Sequence, residues 1–151
     1  SETPVEYLRF VAEAKGLKGE AVKKQIQEVI EQTGLEPVKN RRISALSKGY
    51  KQRVGLAQAV LGDPETIILD EPTRGIDAGA RTDVYNIIKG LSKKGLAVLL
   101  ISSDMEEIIE LSDRAVTIHQ GRLNCEFDRA DINQENLTKA SFGVIGKEKE
   151  S

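Results

Sequence analysis

The sequence has little that would hold the chain in a membrane or in an oxidising compartment. It contains one cysteine, Cys125, so no disulfide can form within the chain. No apolar run approaches the roughly 18–20 residues that a bilayer-spanning helix needs. The 22 basic and 24 acidic side chains nearly balance, so there is no basic field of the kind that draws proteins to nucleic acid. We therefore expect a cytoplasmic protein that does not bind nucleic acid.

Apolar periodicity gives the order of the secondary structure. The 151 residues, 39% of them apolar, are enough for one core. Helical spacing or helix caps predict helices at 3–14, 18–33, 51–61, 77–91, 104–111 and 133–140. Short apolar runs predict strands at 66–69 and 97–101, and a hairpin of 115–119 with 122–127. This alternation predicts an α/β fold in which helices cover a parallel sheet.

Two adjacent carboxylates, Asp70 and Glu71, follow the apolar run 67–69 directly. The carboxyl end of a parallel strand is where open α/β folds place their ligands. In phosphoryl transfer an aspartate at this point helps to hold Mg²⁺, and a neighbouring glutamate polarises the attacking water. These are the roles predicted for Asp70 and Glu71. Taken alone, a strand end with two solvated acids explains the same residues equally well.

A second candidate site consists of Leu46, Ser47, Lys48, Gly49 and Tyr50, a Ser-x-Gly turn that leads into a predicted helix. Free backbone N–H groups, the serine hydroxyl and the positive end of the helix dipole together favour an anion. An ordinary helix cap by the serine is the simpler interpretation of this turn on its own.

The order and spacing of the two features resemble the ATP-binding-cassette (ABC) ATPases, over residues 3–142. Residues 47–50 match the signature loop of that family, 67–71 its Walker B strand, and 75–77 the loop that communicates between paired domains. The resemblance implies ATP and Mg²⁺ as cofactors, with residues 46–50 and Asp77 at the nucleotide. It also implies two kinds of partner, a second cassette that pairs head to tail and membrane-spanning transporter subunits. Each signature loop then closes over nucleotide held by the opposite cassette.

One motif of the family does not occur in the sequence. A phosphate-binding loop needs Gly, four residues, then Gly-Lys-Ser/Thr between a strand and a helix. Gly90 and Gly95 have that spacing, but they lie between a helix and a strand and Leu96 follows. We expect a partial P-loop NTPase domain without the Walker A strand and loop, inactive alone and with part of its sheet uncovered. Its predicted parts are a helical subdomain with the signature loop at 1–64, the C-terminal part of the RecA-like core at 65–142 and a disordered tail at 143–151.

A further departure follows the second predicted strand, where the family usually has a histidine that contacts the γ-phosphate. Ser103 occupies that position, as it does in the second cassettes of tandem sugar and autoinducer-type importers, and the resemblance gives it a catalytic role. Residues 74–80 are similar to the same importer branch. Residues 7–10 and 47–53 are instead similar to exporter-type or gliding-motility cassettes. The only histidine, His119, is expected to be a surface or packing residue.

These observations favour an energy-coupling ATPase subunit, or a fragment of one, at the inner face of the cell membrane. Another polypeptide would then supply the phosphate loop. The alternative is a non-catalytic interaction module derived from a cassette. An ABC-type ATPase that acts on DNA or ribosomes lacks support, because the sequence has neither a long coiled coil nor a basic insertion.

Overall fold

The computed structural model describes residues 2–146, and the predicted tail residues 147–151 lie outside the described part. The chain forms two compact units, one up to Leu99 and one from Leu100 onwards. Six α-helices are described: α1 (Pro4–Ala14), α2 (Glu20–Gln32), α3 (Lys48–Val60), α4 (Ala78–Lys93), α5 (Met105–Leu111) and α6 (Gln134–Ser141). Four strands are described: β1 (Thr66–Asp70), β2 (Ala97–Ile101), β3 (Arg114–His119) and β4 (Arg122–Asp128). Short 3₁₀ turns span Glu36–Val38, Ile43–Ala45 and Arg129–Asp131.

Local capping by side chains explains where α1 and α3 begin. At α1, the Glu6 N–H donates to the Thr3 hydroxyl, and the Thr3 N–H donates to the Glu6 carboxylate over 2.8 Å. This reciprocal pair satisfies two backbone N–H groups that a helix end otherwise leaves open. The third helix starts at Lys48 rather than at the predicted residue 51, because the hydroxyl of Ser47 accepts the N–H of Tyr50. Residues 48–50 are therefore the first helical turn.

The third helix occupies the centre of the first unit. It packs against α1, α2 and α4. The four helices bury apolar side chains, among them Leu8, Ile30, Leu56, Ala57, Val84 and Ile88. Burying a leucine or isoleucine contributes about 1.5–3 kcal/mol, so contacts with three other helices stabilise α3.

Strands β1 and β2 pair in a two-stranded sheet. They start at the same end of the sheet, because the N–H of Ala97 donates to the carbonyl of Glu65, the residue before β1, over 3.0 Å. The helix α4 connects them, as expected for parallel neighbours. Burial alternates along β1, where Ile67 is buried and Ile68 is 65% exposed. The expectation that part of the sheet is uncovered is therefore confirmed for the face that carries Ile68.

The second unit is built on an antiparallel hairpin of β3 and β4, with a break in the register between Thr117 and Ile118. Helix α6 packs on the hairpin and against α5, around Ala115, Ile132 and Leu137. The ring nitrogen Nδ1 of His119 lies 2.9 Å from the carbonyl oxygen of Ser141, so Nδ1 is the donor. The histidine thus joins the end of β3 to the end of α6.

The predicted fold class is confirmed, since helices and strands alternate in the order of an α/β domain. Residues on both sides of the predicted boundary at residue 64 pack within the first unit, because α4 contacts α2 and α3. That boundary stays a prediction. Between residues 2 and 146, no helix combines the length and the apolar character that crossing a bilayer would require.

Candidate nucleotide site

Polar groups at the start of α3 face the solvent, and the residue that precedes them is buried. Leu46 is only 7% exposed, so its side chain anchors the predicted signature loop in the core. Ser47 and Lys48, which follow it, are exposed. The backbone N–H groups of the first turn also point away from the helix, which makes its start compatible with an anion.

Gly49 lies where α3 comes closest to α4. A Cβ atom built at this position would be 2.9 Å from the Cβ of Ala80 and 3.9 Å from Cγ2 of Ile76. Carbon atoms pack at about 3.5–4.0 Å, so the absence of a side chain is what permits this approach. Any side chain placed here would point at α4. A Gly49→Asp variant would therefore disturb helix packing and would not be a clean probe of phosphate binding.

Tyr50 contacts the arginine one turn further along α3. The guanidinium carbon of Arg53 lies 4.8 Å from the centre of the Tyr50 ring, within the range of a cation–π contact. Arg53 also borders a cavity of about 400 Å³ between α2, α3 and α4, together with Gly34 and Asp83. None of the predicted site residues lines that cavity, so it is separate from the candidate site.

The two carboxylates lie at the end of β1, as predicted. Asp70 is the last residue of the strand and is exposed, and its carboxylate has no hydrogen-bond or ion-pair partner within residues 2–146. Mg²⁺ in such sites takes one or two carboxylates and completes its shell with water and phosphate oxygens. A single open carboxylate fits that role. No group of three potential ligands from His, Cys, Asp and Glu occurs in the described part of the chain, so phosphate and water oxygens would have to complete the shell.

Glu71 has an unusual backbone conformation. Its φ angle is +49°, in the left-handed region that side chains other than glycine seldom adopt, and Pro72 follows it. The ring of a following proline also disfavours the α-helical backbone region for the residue before it. Holding a residue in such a region costs about 1–3 kcal/mol and occurs most often at functional sites. Asp63 and Gln120 have similar φ angles of +51° and +49°, so this conformation turns the chain after β1 but does not by itself identify a functional residue.

The loop after Glu71 contacts the start of α3. The side-chain Nε2 of Gln52 donates to the carbonyl of Pro72 over 2.9 Å. The ammonium of Lys48 lies so close to Gly75 that a Cβ built there would be 2.5 Å from it. The φ angle of Gly75 is +70°, so glycine is favoured here by the backbone as well. The predicted signature loop and the predicted communication loop thus meet within one unit.

Asp77 acts as the N-cap of α4. Its Oδ1 accepts the N–H of Ala80 over 3.0 Å. The aspartate ends the loop that begins at Glu71, and the cap holds its carboxylate beside the first turn of α4. A role at nucleotide, which the family resemblance gives it, stays a prediction.

Ser103 belongs to the second unit. It is exposed and follows β2 in a short turn that leads to α5. Its neighbours form the turn, because the hydroxyl of Ser102 accepts the N–H of Asp104 over 3.0 Å and Asp104 caps α5. Ser103 therefore lies in a defined turn between a strand and a helix.

Within the first unit, the structure places the predicted residues of α3 against the loop that follows Asp70 and Glu71. The sequence patterns did not identify Gln52 as part of this arrangement. Gln52 is half-buried between the charged residues Lys51 and Arg53, and a polar side chain that is partly removed from water needs a partner. That requirement is a signal for its role, although the sequence does not show that the partner lies in the loop after Glu71.

Comparison with known proteins places these motifs in a family. Residues 3–74 match the sequence profile of the ABC transporter family. The chain is 47% identical over 104 residues to the ribose import ATP-binding protein RbsA 2 of Rubrobacter xylanophilus, covering 69% of this chain and 20% of that protein. It is 39% identical over 104 residues to RbsA of Caldanaerobacter subterraneus subsp. tengcongensis, covering 69% of this chain and 21% of that protein. The chain thus spans about a fifth of the length of these curated relatives.

Solved structures agree on the fold. The ADP conformation of MJ1267, an ATP-binding cassette of an ABC transporter, superposes with a TM-score of 0.77 at 21% identity, over 92% of this chain and 58% of that one. An inward-facing metal-chelate-type ABC transporter superposes with a TM-score of 0.79 at 17% identity, over 99% of this chain and 63% of that one. The matched profile, the relatives and the fold lead to one conclusion: the chain belongs to the ABC transporter ATP-binding family.

Proposed function

We propose that this chain forms part of the ATP-hydrolysing cassette of an ABC importer and that α3 acts on nucleotide held by a second cassette. The observation that carries the proposal is the contact between the start of α3 and the loop after Glu71. That arrangement keeps two sets of groups in one unit. Ser47 and the first-turn N–H groups would face the partner's nucleotide, and Asp70 and Glu71 would face a nucleotide bound by the chain's own cassette.

The proposed chemistry assigns one role to each side chain. Mg²⁺, when bound, neutralises charge on the β- and γ-phosphates. Asp70 would hold that ion through its open carboxylate. Glu71 would accept a hydrogen bond from the attacking water and orient it towards the γ-phosphate. Ser103 would donate its hydroxyl hydrogen to a γ-phosphate oxygen.

Substrate and location follow from the relatives, within the same proposal. Both relatives described above are ribose import proteins by name, so a sugar is the proposed cargo class. The cassette would then work at the inner face of the membrane, bound to membrane-spanning subunits. Assembly with those subunits and with a second cassette is part of what is proposed.

A non-catalytic interaction module is the second candidate function. It is favoured by one observation, the absence of the Gly-x₄-Gly-Lys-Ser/Thr motif from the 151 residues. In this alternative the chain would bind a cassette or a transporter through its surface, whether or not nucleotide is present. The two functions therefore differ in their dependence on ATP.

The test is a pull-down of this chain by an intact ABC cassette whose own Walker B glutamate is replaced by glutamine, with and without ATP and Mg²⁺. We expect association that depends on ATP. Losing one hydrogen bond to a charged group costs about 1.5–3 kcal/mol, so Ser47→Ala should weaken association about ten- to a hundredfold.

Thr3→Ala is the matched control for Ser47→Ala, because it also removes a helix cap from the first unit. It should leave the ATP-dependent association unchanged. Association that ignores ATP would support the interaction module instead. Equal losses in the two variants would show that Ser47 matters only as a helix cap.

A further inference from the structure

We infer that Gln52 is a positioning residue which sets the backbone after Glu71 and so links the start of α3 to that glutamate within one chain. The inference rests on the proposed function, because it assigns a role to the contact between the two candidate sites. Gln52 itself touches neither nucleotide nor metal in this account. It would act through the carbonyl of Pro72.

The contact that carries the inference is short and partly shielded. Gln52 Nε2 and the Pro72 carbonyl oxygen are 2.9 Å apart, Gln52 is half-buried and Pro72 is buried. A hydrogen bond shielded from water is harder to exchange for bonds to solvent, and an unmet buried carbonyl is costly. The carbonyl of Pro72 is therefore held where the amide of Gln52 places it.

The residue before Pro72 supplies the second observation. Glu71 has a φ angle of +49°, a conformation that persists only where the surrounding structure restrains it. Two backbone hydrogen bonds tighten the same loop, from the N–H of Arg74 to the carbonyl of Glu71 and from the N–H of Ile76 to the carbonyl of Thr73. Gln52 adds a restraint from outside the loop, at the peptide that immediately follows the strained residue.

The helix transmits position from one end of this contact to the other. Gln52 lies about one turn after the start of α3, and Gly49 packs against Ala80 and Ile76 in between. A helix moves as a rigid element over so short a distance. An anion that draws the first turn of α3 towards it would therefore also displace the amide of Gln52 and, through it, the peptide after Glu71.

Hydrogen exchange on the whole chain tests the positioning role without nucleotide. In Gln52→Ala we expect the amides of Arg74 and Ile76 to exchange about two- to tenfold faster, the range that one net hydrogen bond accounts for. Amides of the second unit should keep their rates. The matched control is Gln58→Ala, which removes a hydrogen bond between the same helix and Tyr7 and should leave the loop unchanged.

A charge-dependent variant separates positioning from bulk packing. In Gln52→Glu the side chain keeps its length, but an ionised carboxylate cannot donate to the Pro72 carbonyl. We expect Gln52→Glu to exchange like Gln52→Ala at pH 7 and to approach the wild-type rates near pH 4, where glutamate is about half protonated or more. The same pH change should not alter the ratio of the Gln52→Ala exchange rates to the wild-type rates. If Gln52→Ala does not fold, the ratio of the Gln52→Glu rates to the wild-type rates at each of the two pH values still tests the role of Gln52.

Two results would overturn the inference. One is a folded Gln52→Ala chain in which Arg74 and Ile76 exchange at wild-type rates or in which every amide accelerates equally. The other is a Gln52→Glu chain whose Arg74 and Ile76 amides exchange at the same rate relative to the wild type at pH 4 as at pH 7. Neither depends on the partner cassette. Loss of ATP-dependent association would reject the proposed function, whereas an unaltered loop in Gln52→Ala would reject only the role of Gln52.

Discussion

Arg53 on α3 and Asp83 on α4 form an ion pair in which the guanidinium Nη2 lies 2.6 Å from the carboxylate Oδ2. The arginine side chain is only 13% exposed, whereas the aspartate side chain is 59% exposed. A second guanidinium nitrogen donates to the carbonyl of Gly34, just after α2, over 3.3 Å. One side chain therefore ties three helical segments of the first unit together.

The asymmetry in exposure predicts unequal costs for removing the two partners. Arg53→Ala should destabilise the first unit by about 1.5–3 kcal/mol, because it removes a charge-assisted bond and a carbonyl contact from a largely buried place. Asp83→Ala should cost less than Arg53→Ala, because the largely buried guanidinium that it leaves behind keeps its bond to the Gly34 carbonyl. Thermal unfolding followed by circular dichroism measures both. Arg41→Ala, at an exposed arginine, is the control, and a cost for Arg53→Ala no larger than for Arg41→Ala would contradict the prediction.

The purified chain should hydrolyse ATP no faster than buffer. Asp70 and Glu71 can place a metal ion and a water, but no Gly-x₄-Gly-Lys-Ser/Thr loop is present to hold and neutralise the β- and γ-phosphates. Phosphate release measured with and without the chain checks this expectation. Turnover that disappears in Glu71→Gln would show that the chain builds a phosphate site in another way.

The exposed sheet face should promote self-association. Ile68 is 65% exposed and Leu99 is 53% exposed, at the middle of two paired strands. Apolar side chains on an open sheet face favour pairing with another copy. Ile68→Lys and Leu99→Ser should each raise the monomer fraction at tens of micromolar, as measured by light scattering.

Phe10→Ser is the control for this experiment. Phe10 is 60% exposed but lies on α1, away from the sheet. It should change the monomer fraction little. A wild-type chain that is already monomeric at these concentrations would show that the exposed face does not drive association.

The contribution of the α1 cap to stability should depend on pH. The N–H of Thr3, and then its hydroxyl, hydrogen-bond with Glu6 and lower the pKa of that carboxyl below its ordinary value. Because the folded-state pKa is the lower one, the stabilisation is complete above the pKa of the unfolded chain and is lost as the pH falls through the folded value. An NMR titration of Glu6 should give a lower midpoint in the native chain than in urea. Equal midpoints would argue against the cap.

Helix starts were predictable because the determining contacts are local. Thr3, Asp77, Asp104 and Asn133 each cap a helix through a backbone N–H two or three residues ahead, and such contacts can be inferred from the sequence. The sequence predicts that α3 starts at residue 51, three positions after Lys48, because Ser-x-Gly is typical of a turn. The cap by Ser47 brings that turn into the helix.

Contacts between distant residues were not predictable from the sequence. Gln52 and Pro72 are 20 positions apart, and the approach of Gly49 to Ala80 depends on how two helices cross. The sequence does predict that part of the sheet is uncovered. It does not predict that the open face is the one that carries Ile68, because exposure depends on the neighbouring elements and not on the strand itself.

The crowding between Gly49 and Ala80 also restricts the order in which these two positions can change during evolution. A side chain added at residue 49 meets a Cβ atom fixed on the backbone of another helix, and that atom cannot swing aside. A lineage in which residue 80 first becomes glycine can later accept alanine at residue 49. The opposite order passes through an intermediate in which the two Cβ atoms would be only 2.9 Å apart. Descendants with alanine at residue 49 and glycine at residue 80 should therefore arise only by the first route.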